Sequence, residues 1–452
     1  MTDPTPGPTA APQPTRPIVD RDRLAEVCAA MVNISSPTGD ERPLAAWIAS
    51  ELDLARVQST LQPLDSHQAN TWARLPGIER CGNRTDPGGA TLMLYAPIDT
   101  LTTGYDDEDL PWAGDRLEPH QRPMANRDGN LISGLGAMNP KGHAACVFEA
   151  FTAIAESGLE LPIDLVAAFG AGGMPTNARS VGGSNGRRNT GQGAGCSYLV
   201  EQGVWADAAV IAKPGWTVSW EEVGLAWIDI TVRGLHTYVG ARHRLPYRNP
   251  ISDAATVIAH LERWFPTYSA RHTTGLVAPQ GIVAAVDAGC WRMAAVTPAQ
   301  ARIRVDLRIA PDQTPLDACR EVRASLDELV AADPDLDVTA ELALGIAGSR
   351  TDPDHWITRR AIAVWERSEG RTHEPVRMTS GATDANILRN RGIPSVRVGM
   401  PKVTSDGDEL DFAAGMNTVD LAEMERLAQY LVDLAVDVAA QPLADLTAGG
   451  PP

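Results

Sequence analysis

The 452-residue chain has no apolar stretch long enough to cross a bilayer. It has no basic start followed by an apolar core, so no secretory signal is expected, and a cytoplasmic protein is. It has no CxxC pair among its six cysteines, which excludes a zinc ribbon and argues for reduced thiols rather than a disulfide framework. It has no basic excess: the net charge is -18, which speaks against nucleic acid, whose phosphates need a basic face. Neither a P-loop nor a dinucleotide fingerprint is present. No histidine follows His373.

What is present is a repeated alternation of apolar runs and amphipathic segments. Helices are expected over residues 21–32, 41–54, 143–157, 198–202, 355–368, 385–389 and 420–439. Buried strands are expected over 90–96, 163–169, 208–212 and 395–399, and the polar stretch 105–130 reads as a loop. Between them, 224–232, 281–287, 301–309 and 336–344 read as strands, with helices at 250–264 and 316–332. Strand, helix, strand, strand, helix, strand is the ferredoxin-like split βαβ order. The expected fold is therefore α/β, a discontinuous catalytic-type domain with a mixed central sheet flanked by helices (18–217 and 346–440). An inserted α+β ferredoxin-like lid or dimerisation domain occupies 218–345. Residues 1–17 and 441–452 read as tails, and 180–195, rich in Gly, Asn, Arg and Ser, as a mobile loop over the site.

The stretch Ile132-Ser-Gly-Leu-Gly-Ala-Met-Asn-Pro-Lys-Gly-His143 is a glycine turn running into a helix. Asn139 is placed to cap that helix and Pro140 to sit in its first turn. Such a turn lies where open α/β sheets bind ligands.

The segments Leu92-Met-Leu-Tyr-Ala-Pro-Ile-Asp99, Gly134-Leu-Gly-Ala-Met-Asn-Pro-Lys-Gly142, Val232-Arg-Gly234, Val305-Asp-Leu-Arg308, Ser380-Gly-Ala-Thr-Asp-Ala-Asn386 and Gly392-Ile-Pro-Ser-Val396 occur in an order that resembles a known family. It is that of the zinc amidohydrolases typified by aminoacylase, acetylornithine deacetylase, succinyl-diaminopimelate desuccinylase and carboxypeptidase G. The resemblance implies two zinc ions sharing a bridging carboxylate, with a neighbouring glutamate as general base. Position by position, the expected ligands are replaced. The first histidine is Pro97, with Asp99 kept two residues on; the bridging aspartate is Asn139. Gly170-Ala-Gly-Gly173 stands where paired glutamates would follow the strand, and Lys213 stands for the next acidic ligand. The final histidine is missing, since 406–417 offers only Asp and Glu, and the inserted-domain histidine corresponds to Tyr238, with His236 two residues before it. No cofactor is expected, the usual two zinc ions included.

The replacements point to an organic site built from Lys213, Asp99, His143, Asn139 and Lys141. Lys213 would replace metal charge, bind a carboxylate or oxyanion, or act as base or nucleophile; the alternative is a salt bridge to Asp99 or Asp384. Asp99 would orient Lys213, Lys141 or His143, or simply cap its strand end. His143 is a candidate acid/base or a polar first-turn residue, and Cys146, one turn on, a candidate partner for it. A basic loop with Tyr238, Arg242, His243, Arg248 and Asn249, together with Ser380 and Asp384, is expected to bind substrate. Trp216, Trp220, Glu221 and Glu222 line the hinge. The expectation is an amidohydrolase-fold enzyme acting on a small carboxylate-bearing amide, N-acyl or acyl compound without the di-zinc centre. The partners would be that substrate and a second copy held through the inserted domain, not nucleic acid or membrane. The alternatives are a retired relative that binds a ligand or partner, and a conventional zinc-dependent deacylase or carboxypeptidase.

Overall fold

The computed structural model describes residues 16–77, 90–176, 191–405 and 407–441. A six-stranded sheet runs in the order Ser59–Pro63, Ala69–Leu75, Asp164–Gly170, Thr91–Pro97, Ala208–Ala212, Ser395–Val398. The last four strands are mutually parallel and the first two join antiparallel at one edge. Parallel strands buried on both faces read as continuous apolar runs, and every residue of Thr91–Pro97 and Asp164–Gly170 is buried.

The two-residue period of a strand divides these runs between two helical layers. Leu92, Leu94 and Ala96 pack with helices Arg21–Asn33, Arg42–Leu54, His143–Glu156, Trp356–Glu369 and Leu421–Ala439. Met93 and Tyr95 face the opposite layer, with helices Ala194–Glu201 and Ala385–Asn390. The parallel strands all end on one side, so Asp99, Gly170 to Met174, Lys213 and Met400 follow neighbouring strand ends. Open α/β sheets place their ligands there.

A second, four-stranded antiparallel sheet has the order Gly281–Ala288, Gln300–Ile309, Gly224–Arg233, Asp337–Ile346. In chain order that is second, third, first, fourth, the ferredoxin-like arrangement. Helices Pro250–His272 and Pro315–Ala332 pack with it around a separate core that includes Ile228, Ile230, Leu261, Phe265 and Val305.

Three local expectations are corrected and one unassigned stretch is filled. The stretch 105–130 contains helix Asp106–Ala113, whose first turn carries Asp106, Asp107, Glu108 and Asp109; acidic side chains favour a helix N-terminus. The helix beginning at Pro250 continues through Pro266 to His272. Asn139 does not cap the helix His143–Glu156. It has extended angles inside the tight turn Ala137–Gly142, and the helix begins four residues later with no side-chain cap. Residues 55–77, unassigned from sequence, supply the antiparallel edge pair Ser59–Pro63 and Ala69–Leu75. Most of the 180–195 loop and of both tails lies outside the described residues, although Arg16 pairs with Asp433 on the last helix.

Phe151 is fully buried in the larger core. A Phe151→Ala variant is expected to lose about 3–5 kcal/mol of stability. The midpoint of urea unfolding would shift at an unchanged slope.

Candidate active site

The site grows from the turn that follows strand Asp164–Gly170. Each of four successive backbone N–H groups donates to a buried side chain. Ala171 donates to Asn70 Oδ1 at 2.9 Å, Gly172 to Glu41 Oε1 at 2.9 Å, Gly173 to Asp99 Oδ1 at 2.7 Å and Met174 to Asp99 Oδ2 at 2.8 Å. Thr38 adds a hydroxyl to Asp99 Oδ2 at 2.6 Å. Both oxygens of Asp99 are therefore occupied. It hydrogen-bonds none of Lys213, Lys141 and His143 and serves instead as the post on which the glycine turn is hung. Burial pushes its carboxyl up, opposed by these donors and by the Lys213 charge.

Glu41 is fully buried beside it. Its Oε1 accepts from Gly39, Gly172 and Gln68, while Oε2 has no partner among the described residues. Burial and the charge of Asp99 push the Glu41 carboxyl up to about 8.

Gly173 is tightly constrained. A Cβ there would lie 2.5 Å from Pro97 Cβ, 3.0 Å from Asp384 Oδ2 and 3.2 Å from Asp99 Oδ1. Only a bare backbone passes between the two carboxylates. Asp384 accepts the Tyr95 hydroxyl at 2.6 Å and is 3% exposed, and burial pushes its carboxyl up to about 6. Its Oδ1 takes no hydrogen bond from the described residues.

Lys213 enters from the neighbouring strand end, 6% exposed. Its Nζ donates to Asn139 Oδ1 at 3.0 Å. Among the described residues it forms no ion pair, so the expected alternative of a salt bridge to Asp99 or Asp384 is not what the structure has. Burial lowers its pKa, while Asp384, Asp99 and Glu222 act from nearby in the opposite sense. An ammonium has three donors, and one is used here.

His143, Lys141 and Cys146 are near in sequence but turned to other work. His143 donates from Nδ1 to Met138 O at 2.7 Å and accepts at Nε2 from Met400 N at 3.2 Å, which fixes a neutral ring linking two strand-end loops. Burial pushes it down to about 3. Lys141 is fully buried with Nζ on Ile34 O at 2.7 Å, and burial pushes it down to about 7. The Cys146 thiol donates to Met424 O at 3.4 Å, not to His143, and burial raises its pKa. None of the three presents a free group to Lys213.

A cleft of about 240 Å³ opens beside Asp384, lined by Gly173, Gln192, Arg308, Ser380, Thr383 and neighbours. Ser380 Oγ and Gln192 Nε2 face no partner among the described residues. Arg308 comes from the four-stranded sheet and is paired with Asp306 at 2.9 Å. The loop carrying Ser380 is tied to both parts of the chain. Thr379 exchanges backbone hydrogen bonds with Leu276 and Ala278 of the second unit. Thr383 donates its N–H and hydroxyl to Glu222 Oε2, whose other oxygen faces Arg397 at 3.3 Å.

The basic loop is organised differently from the expectation. Arg248 is held by Asp253 and Asp333, each at 2.7 Å, and Asn249 caps helix Pro250–His272. Both side chains therefore hold their own loop together. Arg242 stacks over Tyr247 at 4.4 Å, and Tyr238 and His243 are exposed. Sequence reasoning missed Arg308, Tyr95 and Glu41. Arg308 ends the motif Val305-Asp-Leu-Arg308 and Tyr95 lies within Leu92 to Asp99, where strand alternation sends it toward Asp384. Glu41 resembles any first-turn helix residue until its burial is seen.

These features define a zinc-exopeptidase-like fold, with a six-stranded mixed sheet, a separate four-stranded sheet and a polar centre at the ends of the parallel strands. No family model matches the chain. Among solved structures it is similar to aminopeptidase PepT from Bacillus cereus, at 16% identity and a TM-score of 0.63, covering 94% of this chain and 100% of that one. It is similar to YXEP from Bacillus subtilis, a dinuclear metal binding peptidase of the M20 family, at 16% identity and a TM-score of 0.60, covering 92% and 98%. A hydantoinase/carbamoylase family amidase from Burkholderia multivorans aligns at 16% identity with a TM-score of 0.62, covering 94% and 99%. The chain thus has the M20 peptidase fold.

His143 gives a direct check. Its folded pKa, about 3, lies below the ordinary 6.5. Its contribution to stability is therefore complete above about 6.5 and is lost as pH falls toward 3. Its ring resonances are expected to show no titration between pH 5 and 8; a midpoint near 6.5 would contradict the pinned neutral ring.

Proposed function

We propose that this chain is a hydrolase for a small, carboxylate-bearing amide or N-acyl compound, working without a pair of zinc ions. The observation that carries the proposal is the buried Lys213 side chain, whose Nζ makes one hydrogen bond, beside Asp384 at the same group of strand ends. The fold shared with peptidases and an amidase supports an amide bond as the target.

The donor set argues against two zinc ions. Zinc takes thiolate, imidazole or carboxylate. Pro97, Gly172 and Gly173 have no such groups, and Asn139 offers an amide already engaged by the lysine cation. Among the described residues, no three His, Cys, Asp or Glu side chains gather as a metal-binding group.

In the proposed chemistry the substrate carbonyl oxygen lies against Lys213, whose ammonium stabilises the negative charge that develops there. Asp384, held at Oδ2 by Tyr95, uses Oδ1 to take a proton from water as the oxygen adds to the carbonyl carbon. The same proton passes to the departing nitrogen as the C–N bond breaks. Arg308, Ser380 and Gln192 receive the substrate carboxylate in the adjoining cleft. A second copy would pair along the edge strand Gly281–Ala288, where Ile282 and Val286 are 57% and 53% exposed.

The test is metal analysis of the purified protein alongside a turnover screen over N-acyl amino acids and small amides. Turnover at far less than one zinc per chain is expected; two tightly bound zinc ions would sink the metal-free part. Lys213→Ala and Asp384→Asn should each lower kcat by roughly 10²–10³, and full turnover in either removes that residue from the mechanism. The rate should fall as pH drops below about 6, where Asp384 takes up a proton. Binding without turnover of any amide would instead favour a retired, ligand-binding relative.

A further inference from the structure

Arg389 lies near the end of the short helix Ala385–Asn390, and its side chain turns inward, leaving the residue 9% exposed. A guanidinium carries five N–H donors and keeps its charge at ordinary pH. Nε donates to Ser395 O at 3.0 Å. Nη1 and Nη2 are both shut off from solvent and meet no acceptor among the described residues, and the side chain forms no ion pair there. Four donors of one buried cation are therefore unmet. Burial pushes its pKa down to about 10, which leaves it charged near neutrality.

The place is the crossing between the two sheets. Glu221–Glu222 leads into the strand Gly224–Arg233, Ser349–Arg350 follows the strand Asp337–Ile346, and the two short segments pair antiparallel as a ribbon. Thr351 ties the ribbon to the strand Ser395–Val398. Its hydroxyl donates to Ser395 O at 2.7 Å, the same carbonyl that Arg389 reaches, and accepts from Ser395 N at 2.9 Å. Asn386, on the helix of Arg389, donates to Val223 O at 2.8 Å. The carboxylates of the ribbon are engaged by other groups. Glu221 pairs with Arg350 at 3.0 Å and accepts from Leu276 N. Glu222 faces Arg397 at 3.3 Å and accepts twice from Thr383. Each glutamate thus has its own arginine. Arg389 is the third cation, and this cluster carries one positive charge in excess.

We infer that Arg389 holds a small monovalent anion of halide size, chloride under ordinary conditions, between the helix Ala385–Asn390 and the ribbon that joins the two sheets. A buried cation is destabilising unless an opposite charge and acceptors meet it. Chloride supplies both, whereas a water accepts hydrogen bonds and leaves the charge uncompensated. The enclosure of Nη1 and Nη2 selects a single atom over a larger carboxylate or phosphate compound. The helix follows directly on Asp384, so the ion fastens one flank of the candidate centre to the crossing. The inference stands apart from the hydrolase proposal.

The experiment is thermal unfolding of the full chain in mixtures of sodium chloride and sodium gluconate at fixed ionic strength, gluconate being too bulky for the site. Stability should rise with chloride along a saturable curve. At a concentration ten times Kd the folded-to-unfolded ratio should be about elevenfold higher than in gluconate alone. Arg389→Met, similar in length and uncharged, should abolish the chloride dependence. Crystals of the unmodified chain grown in sodium bromide should show an anomalous peak within hydrogen-bonding distance of Nη1 and Nη2, which decides the matter should the variant not fold. Unfolding that is the same in both salts, a saturable chloride effect that survives Arg389→Met, or density at the guanidinium without anomalous signal would overturn the inference.

Discussion

Everything at the strand ends depends on how residues 171–174 are held. A turn leaving a buried strand carries N–H groups that need acceptors, and leaving one unmet inside a protein costs about 1–3 kcal/mol. Here Asn70, Glu41 and Asp99 supply those acceptors from three different segments. The cost is that Asp99 cannot also serve as an exposed catalytic carboxylate. Its position leaves a narrow gap to Asp384, which only glycine at 173 passes through. Lys213 and Asp384 each keep hydrogen-bonding capacity to spare.

Electrostatics at the centre follows from the same burial. Glu41 lies next to Asp99, and two adjacent buried carboxyl groups do not both ionise easily. Burial and the charge of Asp99 both raise the Glu41 pKa. Lys213 feels Asp99, Asp384 and Glu222 without forming an ion pair to any of them, so burial lowers its pKa while their field opposes that shift. Tyr95 completes the arrangement from beneath the sheet, holding one oxygen of Asp384.

Much of the architecture was legible because parallel strands and amphipathic helices write strong periodic signals. The runs at Thr91–Pro97 and Asp164–Gly170 and the order of the second sheet were readable on that basis. The edge pair Ser59–Pro63 and Ala69–Leu75 was not, because its first strand is only half-buried and its residues show no clear alternation. Lys213, Asn139 and Asp384 are singled out by their places after strands and glycines, and the structure brings them near one another. His143 and Lys141 had the right chemistry and the wrong direction: a sequence gives the kind of side chain, while the turn Ala137–Gly142 decides where it points. Glu41 went unseen for the opposite reason, since its importance lies in complete burial rather than in any motif.

The loop from Thr379 to Asp384 is fastened at one end by backbone pairing to Leu276 and Ala278 and at the other by Glu222. A compound that reaches from Arg308 to Asp384 adds another fastening between the same two sheets. Occupancy of the cleft and the mutual orientation of the sheets are then thermodynamically linked. The bound form resists unfolding more strongly by RT ln(1 + [L]/Kd), where [L] is the free concentration of the compound. A change made far from the cleft, in the packing of helix Pro250–His272, can thus alter affinity without touching the compound.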